Sequence, residues 1–420
     1  MSADLAVIGL GYVGLPLAQE ASRAGLSVLG FDVSTTVVEG LNAGRSHVDD
    51  LTDDDIAAIR AAGFRASTDE SDLDDTDTII ICVPTPLSED GGPDLDAVMA
   101  AVATVSRHIG RGNLVVLEST TYPGTTDEVV RPMLEESGLV AGSDFHLAFS
   151  PERIDPGNAQ FGMRNTPKVI GGQTRACTER AAAFYRRFVD TVVEARGTRE
   201  AETAKLLENT YRHVNIALVN EMARFCHELG IDLWDVIRLA KSKPFGFQAF
   251  YPGPGVGGHC IPIDPNYLSH NVRSRLGYPF RFVELAQEIN ATMPTYVAQR
   301  VQNLLNVDGK AVNGSTVLLL GVTYKPDIAD QRESPAVPVA RRLLALGANL
   351  VFHDPRVQQW HVDDNVLECV PDLETALTRA DLSVVLQGHA EYDGDLIAKS
   401  SPRVFDTRGI TPKSDTVEHM

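Results

Sequence analysis

The sequence of 420 residues has no apolar run near the roughly 18 residues that a membrane-crossing helix needs. Its first residues lack the basic n-region of a signal peptide. Its five cysteines are odd in number and widely spaced, with no C-x-x-C pair, so neither a disulfide framework nor a zinc site is expected. Basic residues are scarce, 37 against 57 acidic ones, and the net charge of −20 argues against nucleic-acid or anionic-membrane partners. These absences predict a cytoplasmic chain without a metal site.

The composition is otherwise that of a globular protein, 43% hydrophobic and 22% charged, which excludes a disordered or collagen-like chain. At about 150 residues per domain, the length allows two or three domains with sizeable cores. A local pocket of N–H groups with a few Arg or Lys can still bind a phosphate despite the overall negative charge.

Short apolar runs alternate with helical patterns at both ends of the chain, as in parallel βαβ units. The middle is helical over 198–239, contains the Pro/Gly-rich segment 244–265, and is helical again over 281–305. We predict an α/β protein with two Rossmann-like α/β domains joined by a long central helix and a helical middle domain. The predicted domains are 1–197, 198–306 and 307–420. The predicted strands are 5–8, 27–32, 78–83, 113–118, 316–320, 349–353, 382–386 and 403–406, and the predicted N-terminal helices are 15–24 and 94–109.

A G-x-G-x-x-G motif, Gly9 to Gly14, follows the first predicted strand and opens a helix. Gly9 allows a tight turn, Gly11 lets the backbone approach a pyrophosphate, and Gly14 lets helix and strand pack closely. Asp32 ends the second predicted strand, where a carboxylate accepts hydrogen bonds from ribose hydroxyls and repels a 2′-phosphate. We therefore predict NAD rather than NADP, with FAD as a smaller rival and a ligand-free glycine turn as the alternative.

Two further predicted strands end in small hydroxyl residues at the same edge of the sheet, in the segments 83–86 and 118–125. Such residues can contact a nicotinamide ribose or hold a water molecule. Ordinary turn chemistry of Pro, Ser and Thr is the alternative.

Cys260 follows a segment with four glycines in six residues, and Asp264 lies four positions later. Such a loop can approach a ligand closely, and the thiol can act as a nucleophile assisted by a carboxylate. A structural thiol is the alternative, and it is the prediction for Cys82, Cys177, Cys226 and Cys369.

The long central helix carries a polar stripe, because its polar side chains recur at helical spacing. Lys205 and Asn209 in this stripe can stabilise oxyanion charge on a substrate. A solvated helix face is the alternative. The stripe consists of Glu202, Lys205, Asn209 and His213.

Together these residues resemble the UDP-glucose/GDP-mannose dehydrogenase family, and the resemblance covers nearly the whole chain. It rests on the motifs at 9–16, Glu-Ser-Thr at 118–120, Ser-Pro-Glu-Arg at 150–153, Ala-Lys-Leu-Leu-Glu-Asn at 204–209, Gly-Gly-His-Cys at 257–260 with Asp264, Gly-Val-Thr-Tyr-Lys-Pro-Asp at 321–327, and Arg-Glu-Ser at 332–334. The resemblance implies an N-terminal NAD domain, a C-terminal nucleoside-diphosphate domain, and a long helix in the interface of a homodimer or higher homo-oligomer.

The resemblance also implies a reaction, the four-electron oxidation of the C6 hydroxyl of a nucleotide sugar. The first oxidation gives an aldehyde that Cys260 traps as a thiohemiacetal, the second gives a thioester, and water releases the uronic acid. Lys205 and Asn209 would stabilise oxyanions, and Asp264 would hold Lys205 and a water. Thr120 and Glu152 would assist that water.

The contacts that the resemblance assigns fall into two groups. The cofactor contacts are Gly9, Gly11, Tyr12, Val13, Gly14, Asp32, Pro84, Thr85, Thr120 and Arg332. The substrate contacts are Glu152, Arg153, Lys205, Asn209, Phe250, Tyr251, Gly257, Tyr324 and Lys325.

One departure bears on the sugar. UDP-glucose dehydrogenases have a second Glu soon after the Pro-Glu motif, and Pro156 occupies its place here. The sequence is more similar to the branch that acts on UDP-N-acetylhexosamines, of the UDP-N-acetylglucosamine or UDP-N-acetylmannosamine type. UDP-glucose and dTDP-glucose are the alternatives. Two other classes stay open, a catalytically inactive nucleotide-binding regulator and a two-electron hydroxyacid or 6-phosphogluconate-type dehydrogenase.

Overall fold

The structure is a computed structural model that describes residues 3–48, 51–88, 92–154, 158, 160–258 and 261–420. The chain forms two compact units, one of residues 1–208 with 266–278 and one of residues 209–265 with 279–420. In the described ranges no helix is long and apolar enough to span a membrane. The predicted division into three domains stays a prediction.

The strands are numbered in chain order. They are β1 (Ala3–Ile8), β2 (Val28–Phe31), β3 (Arg65–Ser67), β4 (Thr76–Ile81), β5 (Leu114–Leu117), β6 (His146–Phe149), β7 (Lys168–Gly172), β8 (Val192–Glu194), β9 (Thr316–Leu320), β10 (Asn349–His353), β11 (Gln359–Val362), β12 (Asn365–Glu368), β13 (Leu382–Val385), β14 (Val404–Asp406) and β15 (Val417–His419).

The helices are numbered in the same way. They are α1 (Gly14–Arg23), α2 (Thr35–Asn42), α3 (Asp53–Ala61), α4 (Asp96–His108), α5 (Arg131–Glu135), α6 (Arg175–Tyr185), α7 (Thr198–Glu228), α8 (Leu233–Lys241), α9 (Asp264–Leu276), α10 (Arg281–Val307), α11 (Ala336–Ala345), α12 (Leu373–Arg379) and α13 (Gly394–Ser400). Both sheets are mainly parallel, which confirms the predicted α/β class.

The first unit is built on an eight-stranded sheet in the order β3-β2-β1-β4-β5-β6-β7-β8. The first six strands in this order pair in parallel, whereas β7 runs antiparallel to β6. Strands β4 and β5 end in continuous apolar runs that are wholly buried, as expected when helices cover both faces of a parallel sheet. This burial explains why the apolar runs predicted these strands.

The second unit contains a five-stranded parallel sheet in the order β10-β9-β13-β14-β15. Strands β11 and β12 form a separate antiparallel hairpin. The main core packs α8, α10 and α11 against one face of the sheet, with Trp360 of the hairpin buried among them. The strand predicted at 316–320 is confirmed residue for residue as β9.

The central helix is shorter than the helical pattern over 198–239 suggests. Helix α7 ends at Glu228, because Gly230 has a φ of 69°, which is incompatible with a right-handed helix. Asp232 then starts α8 by accepting the N–H of Asp235. The sequence prediction of one continuous helical stretch was therefore wrong at this turn.

Candidate active site

The glycine motif forms the turn between β1 and α1 in the first unit. Gly9 has a φ of 89°, and a Cβ there would lie 2.8 Å from the Cys82 carbonyl oxygen. A Cβ on Gly14 would lie only 1.9 Å from the Gly9 carbonyl oxygen, so turn and helix can meet only at glycine. Tyr12 and Val13 are half-buried against the core of this unit. The predicted roles of Gly9 and Gly14 in turn and packing are thus visible in the backbone.

The same turn leaves room for a ligand. A Cβ on Gly11 would meet nothing within 4 Å, so the space over its backbone is open. Asp32 accepts the N–H of Leu10 and of Ser34, both at 2.9 Å, and its half-buried carboxylate keeps lone pairs free for further donors. An open glycine beside an anchored carboxylate fits the pyrophosphate and ribose of a dinucleotide.

The segment after β4 is held by an aromatic side chain. The hydroxyl of Tyr267, which is fully buried in α9, donates to the carbonyl of Thr85 and to that of Pro86 at 3.2 Å. Pro84 is exposed and Thr85 half-buried. Their predicted cofactor contacts stay a prediction.

The segment after β5 is tied to α7. Lys205 donates to the Thr120 hydroxyl. Glu202 accepts the N–H groups of Gly124 (2.6 Å) and Thr126 (2.9 Å) and the Thr126 hydroxyl (2.7 Å). Burial raises the pKa of Glu202 to about 7, although these hydrogen bonds oppose the rise. Glu202 therefore places the strand-end segment against the helix turn that carries Lys205.

The polar stripe of α7 is buried rather than solvated. The exposed fractions of Glu202, Lys205, Asn209 and His213 are 1%, 7%, 9% and 2%. Burial lowers the pKa of His213 to about 4, so this residue is neutral at pH 7. The alternative of a solvated face is wrong.

Glu152, just after β6, is held at both carboxylate oxygens. Its Oε1 accepts the N–H of Arg153 (2.7 Å) and of Ile154 (2.5 Å), and its Oε2 lies 3.3 Å from Nζ of Lys168. Arg153 itself forms a two-bond ion pair with Glu208. Its predicted substrate contact stays a prediction. Residues 155–157, which include Pro156, lie outside the described residues.

In the second unit, Asn209 and Asp264 form a buried pair in which the Asn209 amide donates to Asp264 Oδ2 at 2.6 Å. Asp264 is the first residue of α9, where a carboxylate is favoured by the helix dipole. Cys260, the predicted nucleophile, lies outside the described residues. Its role stays a prediction, as do the roles of Lys205, Asn209, Asp264, Thr120 and Glu152.

The glycines before Cys260 are required by their neighbours. A Cβ on Gly257 would lie 2.5 Å from the Glu333 carbonyl oxygen, and one on Gly258 would lie 2.7 Å from the Tyr324 ring. Gly258 also has a φ of 87°. The Gly-rich segment thus lies directly on the loop after β9 that carries the predicted substrate contacts Tyr324 and Lys325.

The remaining predicted contacts of this unit have protein partners. Phe250 meets the edge of Tyr211, and Tyr251 stacks on Trp234. Arg332 forms a two-bond ion pair with Asp330. None of these pairs tests the predicted contacts to substrate or NAD.

Three polar residues of the second unit were not predicted from the sequence. Asp354 accepts the N–H of Val322 at 2.7 Å, and His389 Nε2 lies 3.2 Å from the same carboxylate oxygen. Arg408, after β14, donates from Nε to the Leu386 carbonyl, and burial lowers its pKa to about 10. A signal for Asp354 was present, since it follows β10 as Asp32 follows β2.

One group of side chains in the described part of the chain has the spacing of metal ligands. Ligand atoms of Asp327, His389 and Glu391 lie within 4.8 Å of one another. His389 Nδ1, however, already accepts the N–H of Asp327 at 3.0 Å. We assign this group to the structure of the loop.

Comparisons with known proteins match the chain in three consecutive parts. Residues 3–189 match the NAD binding domain of the UDP-glucose/GDP-mannose dehydrogenase family, residues 199–292 its central domain, and residues 318–413 its UDP binding domain. The chain belongs to this family. It is an oxidoreductase that binds NAD, and the predicted family and cofactor are confirmed.

Relatives of the family match over almost their whole length. The chain is 36% identical to a UDP-N-acetyl-D-mannosamine dehydrogenase of Yersinia pestis, over 97% of this chain and 98% of that protein. It is 35% identical to a UDP-N-acetyl-D-glucosamine 6-dehydrogenase of Salmonella typhi, over 92% and 90%. The solved UDP-D-ManNAc dehydrogenase of Pyrococcus horikoshii superposes with a TM-score of 0.89 at 32% identity, covering 99% of this chain and 98% of that one.

Proposed function

We propose that the protein oxidises the C6 hydroxyl of a UDP-N-acetylhexosamine to the uronic acid, with UDP-N-acetylmannosamine or UDP-N-acetylglucosamine as substrate. The observation that carries this proposal is the near full-length similarity to dehydrogenases named for these two substrates. Pro156, in place of a second Glu, supports the N-acetyl branch. UDP-glucose and dTDP-glucose are the alternative substrates.

The first unit holds the cofactor. The open backbone at Gly11 and the N-terminus of α1 would hold the pyrophosphate, and the Asp32 carboxylate would accept hydrogen bonds from the ribose hydroxyls. Bound NAD supplies the hydride acceptor for each of the two oxidations. The carboxylate of Asp32 excludes a 2′-phosphate, which supports NAD over NADP.

Cys260 anchors the substrate between the two oxidations. Its thiolate adds to the aldehyde carbon, forming a C–S bond and a thiohemiacetal. Loss of a hydride from that carbon, for which NAD would be the acceptor, and of the hydroxyl proton to solvent would leave a thioester. Water then attacks the thioester carbonyl, the C–S bond breaks, and the uronate, the Cys260 thiolate and two protons result. The aldehyde is thereby never free to escape.

The buried polar side chains of α7 support these steps. Lys205 and Asn209 stand one helical turn apart, and their N–H groups can stabilise the oxyanions that form at C6. Asp264 orients the Asn209 amide, while Thr120 and Glu152 orient the attacking water. Asp264 is also assigned to hold Lys205 and a water molecule. These roles come from the family resemblance.

The second unit supplies the contacts for the nucleoside diphosphate. Lys325 and Arg408 both follow strands of its parallel sheet at the carboxyl ends, where ligands of such sheets bind. Arg408 uses its Nε–H on the Leu386 carbonyl, and its guanidinium has further N–H donors that a phosphate can accept. The assigned contact of Arg332 to NAD belongs to this proposal as well.

A homodimer built on α7 is part of the proposal. The helix buries Leu206 and Val219 but exposes Leu207, Leu218 and Phe225 by 65%, 53% and 44%. An apolar stripe of this size on a long helix is typical of a subunit interface. We expect a dimer by light scattering at micromolar concentration, and a fully active monomer would contradict it. The proposed location is the cytoplasm, in the synthesis of a polysaccharide or glycoside.

A substrate panel tests the reaction. NADH formation should be measured at 340 nm with UDP-, GDP- and dTDP-sugars, with and without N-acetyl groups. We expect the highest kcat/KM with a UDP-N-acetylhexosamine and two NADH per uronic acid. One NADH per product would favour the two-electron class, and no NADH with any sugar would favour the inactive regulator.

A further inference from the structure

Three buried charges lie together at one edge of the first sheet. Glu118 follows β5, Glu152 follows β6, and Lys168 begins β7. Because β7 runs antiparallel to β6, its first residue lies at the edge where the neighbouring strands end. The Lys168 ammonium is 2.7 Å from Glu118 Oε2 and 3.3 Å from Glu152 Oε2. The Lys168 ammonium therefore forms ion pairs with both carboxylates.

None of the three charges is in contact with much solvent. The exposed fractions of Glu118, Glu152 and Lys168 are 1%, 9% and 3%. The hydroxyl of Tyr185, fully buried in α6, donates to the second oxygen of Glu118. Burial raises the pKa of Tyr185 well above its usual value, so it acts as a neutral donor.

Such a cluster is a poor device for stability alone. Taking an ion pair out of water costs about as much as the pair returns, and well-packed apolar residues often do as well or better. The need for a charged Glu152 carboxylate at this edge explains the presence of the cluster better. Glu152 is the member of the cluster in the proposed active site, and its remaining oxygen already accepts two backbone N–H groups.

The two carboxylates respond differently to the shared cation. Burial raises the pKa of Glu118 above its ordinary value despite the lysine. Burial also pushes the pKa of Glu152 upward, but Lys168, the Ile154 N–H and the Lys205 charge outweigh it and lower the pKa. Among the described residues, Tyr185, Lys205 and the Cys82 thiol also face the cluster, and burial raises the pKa of Cys82 well above its usual value.

We propose that Lys168 is a positioning residue, which holds the Glu152 carboxylate charged and in one orientation while Glu118 and Tyr185 fix the lysine. The proposal rests on the proposed function, since Glu152 orients the attacking water there. Because only 3% of its surface is exposed, Lys168 is assigned no contact with substrate or cofactor. Its effect reaches the reaction through the charge and direction of Glu152.

The first test is the pH profile of kcat in Lys168→Met. Loss of the cation should raise the pKa of Glu152, so the acid limb should move up by about one pH unit or more. At a pH on the acid limb kcat should fall roughly 10-fold or more below wild type, recover as the pH rises, and leave the affinity for NAD unchanged. Lys168→Arg keeps the charge and should rescue most of the loss. Lys399→Met, an exposed lysine of α13, is the matched control and should not change the profile.

The second test uses a change in the opposite direction. Glu118→Gln removes the competing carboxylate, so Glu152 should hold a proton less readily and the acid limb should move to lower pH. If Lys168→Met does not fold, the double variant Glu118→Gln/Lys168→Met, in which Glu152 is the single buried carboxylate of the cluster, is measured in its place. If neither variant folds, the positions of the acid limb in Glu118→Gln and Lys168→Arg decide the test. An unmoved acid limb in the folded variants would overturn the proposal.

Failure of the proposed function gives a different result. A wild-type protein that forms no NADH with any nucleotide sugar defeats the proposed function. A wild-type protein with full turnover, together with variants whose pH profiles match it, defeats the role of Lys168 alone.

Discussion

In both mainly parallel sheets a carboxylate accepts an N–H group of the glycine turn after the first strand. Only in the first unit does this carboxylate stay accessible to a ligand. In the first unit Gly9 has a φ of 89°, and Asp32 accepts the N–H of the next residue, Leu10. In the second unit Gly321 has a φ of 77°, and Asp354 accepts the N–H of Val322. Each carboxylate follows the second strand of its own sheet.

The surroundings of the two carboxylates separate them. Asp32 is half-buried, and α1 starts close behind its turn, at Gly14. Asp354 is wholly buried against His389, and α11 starts only at Ala336, after a long loop. An acidic residue after the second strand therefore indicates dinucleotide binding only when a helix opens directly behind the glycine turn and the carboxylate stays accessible.

The largest expected effect is on stability. Asp354→Ala would remove the acceptor of the Val322 and Arg356 N–H groups and the carboxylate partner of His389 Nε2, at a cost of about 4 kcal/mol in the free energy of unfolding. Asp32→Ala, at a half-buried site, should cost about 1 kcal/mol. Denaturant unfolding of both variants measures the difference. Equal losses would show that the two carboxylates are not distinguished by burial.

The next effect is on cofactor choice. Asp32 should favour NAD over NADP by ~2–4 kcal/mol, because its carboxylate opposes a 2′-phosphate. Asp32→Asn should narrow the kcat/KM ratio between the two cofactors. Asp54→Asn, an exposed residue of α3, is the matched control. A wild-type enzyme that uses both cofactors equally well would contradict the role of Asp32.

A smaller effect is the pH dependence of the free energy of unfolding, which should have opposite signs for Glu202 in the first unit and Asp354 in the second. Burial raises the pKa of Glu202 from 4.5 to about 7, so the folded state holds its proton more tightly than the unfolded state does. The stability from this group is present below pH 4.5 and falls as the pH rises through 7, by about 2 kcal/mol between pH 5 and 7. Glu202→Gln, compared with wild type over that range, should remove the decline.

Asp354 should act in the other direction. Burial raises its pKa, but the His389 ring and the N–H groups of Val322 and Arg356 outweigh burial and lower it. Its stabilising effect is therefore present above the unfolded pKa of 3.8 and lost as the pH falls below it. The free energy of unfolding of wild type should be measured relative to that of Glu202→Gln. If this difference rises between pH 5 and 7, the raised pKa assigned to Glu202 is wrong.

The sequence predicted what depends on short spacing. The apolar runs predicted the buried strands β4 and β9, and the spacing from Gly9 to Gly14 predicted the turn before α1. The sequence could not predict the ion pair of Glu118 with Lys168, because these residues meet only when β7 pairs antiparallel to β6. Short or exposed elements such as β8 and β12 were missed, since they bury too few side chains to leave a clear pattern.

The most direct test of the account is the fate of substrate in Cys260→Ala, measured as NADH and uronic acid formed. Cys177→Ala, which removes a buried free cysteine, is the control and should change stability at most. We expect two NADH per acid in wild type. In Cys260→Ala we expect normal NAD affinity and almost no acid. Wild-type turnover to the acid in Cys260→Ala would contradict the covalent mechanism.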